Sequence, residues 1–149
     1  QNPAVPISYK TAFLKDNQVA TIQSNTDYIE TKVTSYKNGY LNLQHKGAYI
    51  ARYYVYWDEV TYDKDGVESI RSRQWEDNGK NRTAGFQTEL QFKGNVRNIR
   101  VKIQEKTGLV WEKWRTVYNR TDLPLVQKRT IVNSGTTLRP KYDEKVENN

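Results

Sequence analysis

Cysteine is absent from this 149-residue chain, and histidine occurs once, at His45. Without thiols there is no disulfide framework, no thiolate nucleophile and no cysteine-based zinc site. A single imidazole leaves a Ser-His-Asp relay or a His-rich metal centre little to build on. No nucleophile–base spacing stands out elsewhere, so the sequence argues against an enzyme and nominates no catalytic residue, metal ligand or cofactor site. Nothing approaches the ~18 consecutive apolar residues of a spanning helix, and no apolar signal-peptide core is present. A secreted form would carry its targeting segment upstream of Gln1. No block of Lys or Arg exceeds two residues, so the net charge of +7 is scattered. It favours anionic partners, yet reads first as a solvated surface.

What the chain has is aromatic bulk and short alternating runs. Hydrophobic residues are only 36%, but 11 Tyr and 4 Trp supply large buried area per residue. Ile99, Val101 and Ile103 alternate with Arg100, Lys102 and Gln104, the mark of a half-buried strand. Tyr49, Ala51, Tyr53, Val55 and Trp57 predict the core face of a long strand over 48–62, with Ile50, Arg52, Tyr54, Tyr56 and Asp58 outward. Asp63-Lys64-Asp65-Gly66 predicts a hairpin turn, with a return strand over 67–75. Phe86, Thr88, Leu90 and Phe92 alternate in a further strand, and 114–118 and 126–133 follow. Residues 144–149 read as a frayed polar tail. Short strands at regular spacing with turns between them predict an all-β sandwich. No helical stripe of useful length occurs. Residues 1–37 read as extended, with strand-like runs at 4–9 and 19–22 and a Thr- and Tyr-rich stretch over 27–36. The Asn38-Gly39 turn marks the expected start of a compact domain over 38–149.

The least ordinary stretch is Glu105-Lys106-Thr107-Gly108-Leu109-Val110-Trp111-Glu112-Lys113-Trp114-Arg115. Two tryptophans, a leucine and a valine stand among five charges with no period to sort them into faces. Trp with Leu at a loop tip, flanked by Lys and Arg, suits a water–bilayer boundary. The plain alternative is that Trp111 and Trp114 cap the core. The stretch resembles the tryptophan-rich undecapeptide of the cholesterol-dependent (thiol-activated) cytolysins, whose common form reads Glu-Cys-Thr-Gly-Leu-Ala-Trp-Glu-Trp-Trp-Arg. Lys106, Val110 and Lys113 are the three departures. The resemblance covers essentially the whole chain, through Gly47-Ala48-Tyr49, Trp57-Asp58-Glu59-Val60, Gly94-Asn95-Val96-Arg97-Asn98 and Gly135-Thr136-Thr137-Leu138.

That resemblance implies the C-terminal part of a longer secreted toxin. It implies a sandwich of two four-stranded antiparallel sheets, with residues 1–37 as an extended N-terminal arm that would pair with strands outside this chain. The implied partners are a cholesterol-containing host membrane and, in the full-length toxin, further copies of itself. Thr137 and Leu138 match the family's sterol-recognising pair. A hydroxyl can exchange hydrogen bonds with a sterol hydroxyl while leucine packs on the rings. Ala48 and Ala84 match two neighbouring loops that dip into the bilayer, beside Leu109, Trp111 and Trp114. Glu105, Lys106, Lys113 and Arg115 belong to the undecapeptide, whose arginine links membrane binding to pore assembly in the family. The missing cysteine removes thiol activation, and Lys113 in place of a tryptophan implies weaker sterol-driven contact.

Tyr54-Val55-Tyr56, fourteen residues, then Arg71-Ser72 forms a second pattern. If Asp58 or Val60 pairs with Arg71, then Tyr54, Tyr56 and Arg71 share the outward face, a hot-spot composition. A surface Tyr/Arg cluster is the plain alternative. The spacing resembles the signature of the protectin-binding subgroup of cytolysins, which implies a contact with that glycolipid-anchored complement inhibitor. Competing readings are a carbohydrate- or protein-binding β-sandwich module and, third, a nucleic-acid binder that stacks bases on aromatics; no nucleic-acid partner is expected.

Overall fold

The computed structural model describes residues 8–13, 18–25, 28–107, 109 and 111–148. The described residues form twelve strands and no helix: β1 Ser8–Phe13, β2 Gln18–Asn25, β3 Tyr28–Tyr36, β4 Gly39–His45, β5 Ile50–Tyr62, β6 Glu68–Gln74, β7 Asn81–Arg82, β8 Gln87–Phe92, β9 Val96–Lys106, β10 Arg115–Leu123, β11 Lys128–Gly135 and β12 Pro140–Glu147. The expected all-β character stands. Its details differ in four ways.

First, residues expected to lie as an extended arm pair with one another. β1, β2 and β3 make an antiparallel three-stranded sheet, with Thr11 opposite Thr21 and Ile22 opposite Thr31. Positions 4–7 and 27 of the expected extended runs lie outside the described residues. Second, one of the two remaining sheets has order β10-β9-β5-β6 with the short β7 added beside β5, making five strands. The other has four, in the order β12-β11-β4-β8. Third, that sheet is mixed, because β11 runs parallel to β4. Both strands leave the same end: Tyr40 N–H bonds the Gln127 carbonyl, so the segment after β10 delivers β11 beside the start of β4. Fourth, the expected polar tail is a strand. β12 pairs with β11 through Glu147, and Glu144 within it forms an ion pair with Arg129.

The core lies between the five- and four-stranded sheets and follows from the alternation. Tyr53, Val55, Val101, Ile103 and Tyr118 come from one sheet, and Leu41, Leu43, Leu90, Phe92 and Ile131 from the other. Each fully buried Leu or Ile contributes about 1.5–3 kcal/mol before entropy is counted. The alternation of β5 breaks near Trp57, where the pairing with β9 shifts register between Tyr56 and Asp58. Asn98 opposite this shift takes φ 53°, a left-handed conformation that asparagine tolerates. Asp58 stays on the outward side beside Arg100 and Ser72, but these neighbours cover it and leave it only 9% exposed. Asn98, Ser72 and Arg100 all donate to its carboxylate, and these hydrogen bonds, the one from Asn98 foremost, hold its pKa below the usual range against the opposing effect of burial.

Candidate functional site

Four turns meet at one end of the paired sheets. The β4–β5 connection is tied to the β11–β12 turn by a bridge between Ala48 and Thr136, with Ala48 N–H on the Gly135 carbonyl. The β7–β8 turn is tied to the same place, Gly85 N–H bonding the His45 carbonyl. β9 ends there too, since Lys106 stands opposite Ile50. Thr137 and Leu138 are the two central residues of a tight turn closed by reciprocal bonds between Thr136 and Arg139. Gly135 enters it at φ 84°, and a Cβ there would stand 2.3 Å from the Arg139 carbonyl oxygen, so only glycine fits. Residues 48, 84, 109 and 137–138, scattered through the sequence, therefore sit together.

This end displays apolar side chains to solvent. Leu138 is 88% exposed, Trp111 78% and Leu109 46%. Ala48, Ala84 and Lys113 are also exposed, whereas Trp114 is half-buried beneath the cations of Arg52, 4.0 Å from its ring centroid, and Lys106, 4.9 Å away. Trp111 thus does not cap the core. Thr137 is half-buried; its hydroxyl lies 3.4 Å from the Ala48 carbonyl. Thr107 closes the base of the long loop through its N–H and hydroxyl on Glu112, and these bonds hold the Glu112 carboxyl below its ordinary pKa.

Under the turns lies a polar layer that composition gave no reason to expect. Glu105 is 1% exposed, and its Oε1 accepts from Arg115 Nε at 2.8 Å. Arg115 also donates to the Thr137 carbonyl, linking the long loop to the Thr-Leu turn. His45 is equally buried; Gly47 N–H donates to its Nδ1 at 3.2 Å, so the proton sits on Nε2 and is given to the Tyr49 carbonyl at 2.8 Å. Burial pushes the His45 pKa down and keeps the ring neutral. Tyr49 donates to the Ser134 carbonyl, and Tyr53 to Asn133 Oδ1.

The β5–β6 hairpin corrects one geometric expectation. Asp58 pairs with Ser72 and Glu59 with Arg71, one residue away from the expected register. Directly paired residues share a face, so Ser72 lies with Tyr56 and Asp58, and Arg71 lies on the opposite face. Ser72 donates to Asp58 at 3.0 Å, while Tyr54 sits under Lys102, whose Nζ is 4.7 Å from the ring centroid. β6 is an edge strand, exposed along its whole length.

The sequence model of the thiol-activated cytolysin β-sandwich domain matches residues 40–141, and that of the thiol-activated cytolysin proper matches residues 1–36. The chain belongs to the thiol-activated cytolysin family. It is 59% identical to pneumolysin of Streptococcus pneumoniae serotype 2 over 147 residues, which is 99% of this chain and 31% of that protein. The membrane-binding domain of pneumolysin superposes with a TM-score of 0.72 at 56% identity, covering 76% of this chain and 100% of that one. A disulfide-locked mutant of intermedilysin, in its structure with human CD59, gives a TM-score of 0.72 at 61% identity, covering 89% of this chain and 29% of that one. The chain thus spans about a third of the length of the curated relatives it matches.

Within this cytolysin chain, the sequence reading missed the residues that support the loops rather than form them. Asn78 is one: its amide accepts from Val55 N–H at 2.7 Å and donates to the Val55 carbonyl at 3.2 Å, filling the break between β6 and β7 on the edge of β5. An Asn before Gly in a turn-rich loop was a signal for the turn, not for this reach. Arg52 and His45 carried no local signal at all.

Proposed function

We propose that this cytolysin chain contains the membrane-recognition domain of a secreted pore-forming toxin, residues 38–149, preceded by a segment, residues 1–37, that belongs to the rest of the toxin. The exposure of Leu138, Trp111 and Leu109 at one end carries the reading. Three large apolar side chains left in water cost free energy unless a partner covers them, and a handful of them suits shallow docking on a bilayer. Thr137 and Leu138 are the sterol contact. The Thr137 hydroxyl is free to exchange its long 3.4 Å contact for one to a sterol hydroxyl, and Leu138 packs on the rings. Ala48, Ala84 and Trp114 flank that contact. Glu105, Lys106, Lys113 and Arg115 couple it to the long loop, and assembly into pores belongs to the longer protein. Flotation with phosphatidylcholine vesicles tests this: the protein should rise with vesicles that contain cholesterol and stay behind with those that lack it. Flotation independent of cholesterol would exclude the sterol contact.

A second contact is with protectin, human CD59, through Tyr54, Tyr56, Arg71 and Ser72. The structure of intermedilysin with human CD59, at 61% identity, favours it. Because β6 is an edge strand, a partner gripping it reaches Arg71 on one face and Ser72 with Tyr56 on the other. Soluble protectin should bind the wild type and lose affinity for a Tyr54→Ala/Tyr56→Ala variant; absence of binding to the wild type would remove this contact and leave the sterol reading standing.

A further inference from the structure

We propose a site for the phosphate of an anionic phospholipid headgroup on the outer face of the β5–β9 pair, formed by Arg52 and Lys106 around Trp114 with Lys102 behind them. The proposal rests on the membrane-docking reading, because that reading brings this end of the sheets to the headgroup layer.

Register puts the cations on one face. Ile50 is opposite Lys106 and Arg52 opposite Gln104, so Lys106 and Arg52 are diagonal neighbours. Both converge on one indole, at 4.0 and 4.9 Å from its centroid. Arg52 Nε is oriented by Asn81 Oδ1 at 2.8 Å, which leaves its two terminal nitrogens without a protein acceptor among the described residues. Neither Arg52, Lys106 nor Lys102 has a carboxylate within 4.0 Å among those residues. The carboxylates nearby are engaged: Glu105 is buried and holds Arg115, and Glu112 binds Thr107. Farther from the loops the pattern changes, since Arg100 is neutralised by Asp58 at 3.3 Å. On this face the cations with no carboxylate in contact, Arg52, Lys106 and Lys102, thus lie on the loop side of Arg100, and of the three Lys106 also interacts at longer range with Glu112.

Depth decides what this charge meets. Arg52 lies two residues into β5 from its first residue, Ile50, roughly 7 Å at the rise of a strand. The headgroup region is roughly 5–8 Å deep on each side of a bilayer. With Leu109, Trp111 and Leu138 at the acyl boundary, Lys106 and Arg52 fall within that layer, while Lys102, opposite Tyr54 and roughly 14 Å from Ile50 at the same rise, lies beyond it. A guanidinium with free terminal nitrogens beside an ammonium is a donor set suited to a phosphodiester oxygen pair. The indole flanks it with the amphipathic surface that this boundary favours.

The test uses the full chain and vesicles of fixed cholesterol content made with phosphatidylcholine alone, whose choline ammonium already neutralises its phosphate, or with added phosphatidylserine, whose headgroup stays net negative. The readout is the ratio of the two affinities. For the wild type the ratio should be about 25-fold, at roughly fivefold for each of Arg52 and Lys106 near an anionic surface. Arg52→Gln and Lys106→Gln should each lower it about fivefold and the double variant should abolish it, whereas Lys128→Gln, on the other sheet, should leave it unchanged. A wild-type ratio near one overturns the site while leaving docking intact, as does an equal loss in Lys128→Gln, which would mean that net charge alone is read. Competition by inorganic phosphate as effective as by vesicles would assign the cations to free phosphate and overturn the headgroup assignment. Failure to bind any cholesterol vesicle would instead strike the docking reading, and the site with it.

Discussion

Arg115 grips the buried carboxylate of Glu105 with two nitrogens, Nε at 2.8 Å and Nη2 at 2.7 Å, while donating to the carbonyl of Thr137. One guanidinium thus ties the end of β9 to the Thr-Leu turn. The other carboxylate oxygen of Glu105 is buried without a hydrogen-bond partner among the described residues. Removing Arg115 therefore leaves a buried charge with nothing to compensate it. Arg115→Ala should destabilise by about 2–3 kcal/mol, at the low end for a broken buried pair because Arg115 itself is half in water. In a Glu105→Gln background the same change should cost at least about 1 kcal/mol less, the coupling of a direct contact. Urea unfolding of the four proteins checks the cycle; additive losses would show that the pair is not what holds the turn.

Leu138 presents the opposite case, a large side chain that the fold does not use. With 88% of it in solvent, Leu138→Asp should change stability by less than about 0.5 kcal/mol. Burying a leucine at a membrane is worth about 1.5–3 kcal/mol, so vesicle affinity should fall roughly 10- to 100-fold. Thermal unfolding and flotation on the same sample separate the two effects. A variant that unfolds more easily yet floats as before would reverse the assignment.

How much of this could be read without coordinates depended on whether a residue's partner was local. Ile99, Val101 and Ile103, or Tyr49 through Val55, announce their strands because one face meets apolar neighbours and the other meets water. β12 announces nothing. Its apolar residues Tyr142 and Val146 are half exposed, and its order comes from pairing with β11 and from Glu144 meeting Arg129, both partners distant in sequence. β7 is two residues long and has no period to show. The parallel alignment of β4 and β11 depends on where the chain crosses between sheets, which no window of sequence contains. At the loop end, the exposed residues were legible through their resemblance to a known motif. Arg52, His45 and Asn78 were not, because each acts on a neighbour brought in by folding.

The register of the β5–β6 hairpin is testable by cross-linking, and the absence of native cysteine makes the experiment clean. Glu59 and Arg71 are directly opposite, and such pairs have Cα atoms about 4.5–5.5 Å apart, within disulfide range. Glu59→Cys with Arg71→Cys should oxidise readily. Asp58→Cys with Arg71→Cys should not, since those side chains leave opposite faces. Efficient bonding of the second pair alone would restore the one-residue-shifted alignment and place Arg71 beside Tyr56.

His45 makes the loop end sensitive to acid in a direction that the geometry fixes. Its Nδ1 accepts the Gly47 N–H and its Nε2 donates to the Tyr49 carbonyl, an arrangement that only the neutral ring can satisfy. Protonation sets an N–H against an N–H and places a charge where 1% of the residue is exposed. Burial holds the folded pKa below the ordinary value of 6.5, so as pH falls the unfolded chain takes up the proton first. The contribution of neutral His45 is whole above that ordinary value and is lost progressively below it, towards the lower folded pKa. Asp58, with its depressed carboxyl, adds a loss of the same sign at more acid pH, so the two windows are distinct. Melting temperature should decline on going from neutral to mildly acid buffer. His45→Gln should be less stable at neutral pH, because the buried hydrogen bonds are disturbed, but should show a flat profile across the histidine window. A slope that persists in His45→Gln would assign the titration to another group and leave the ring a purely structural residue.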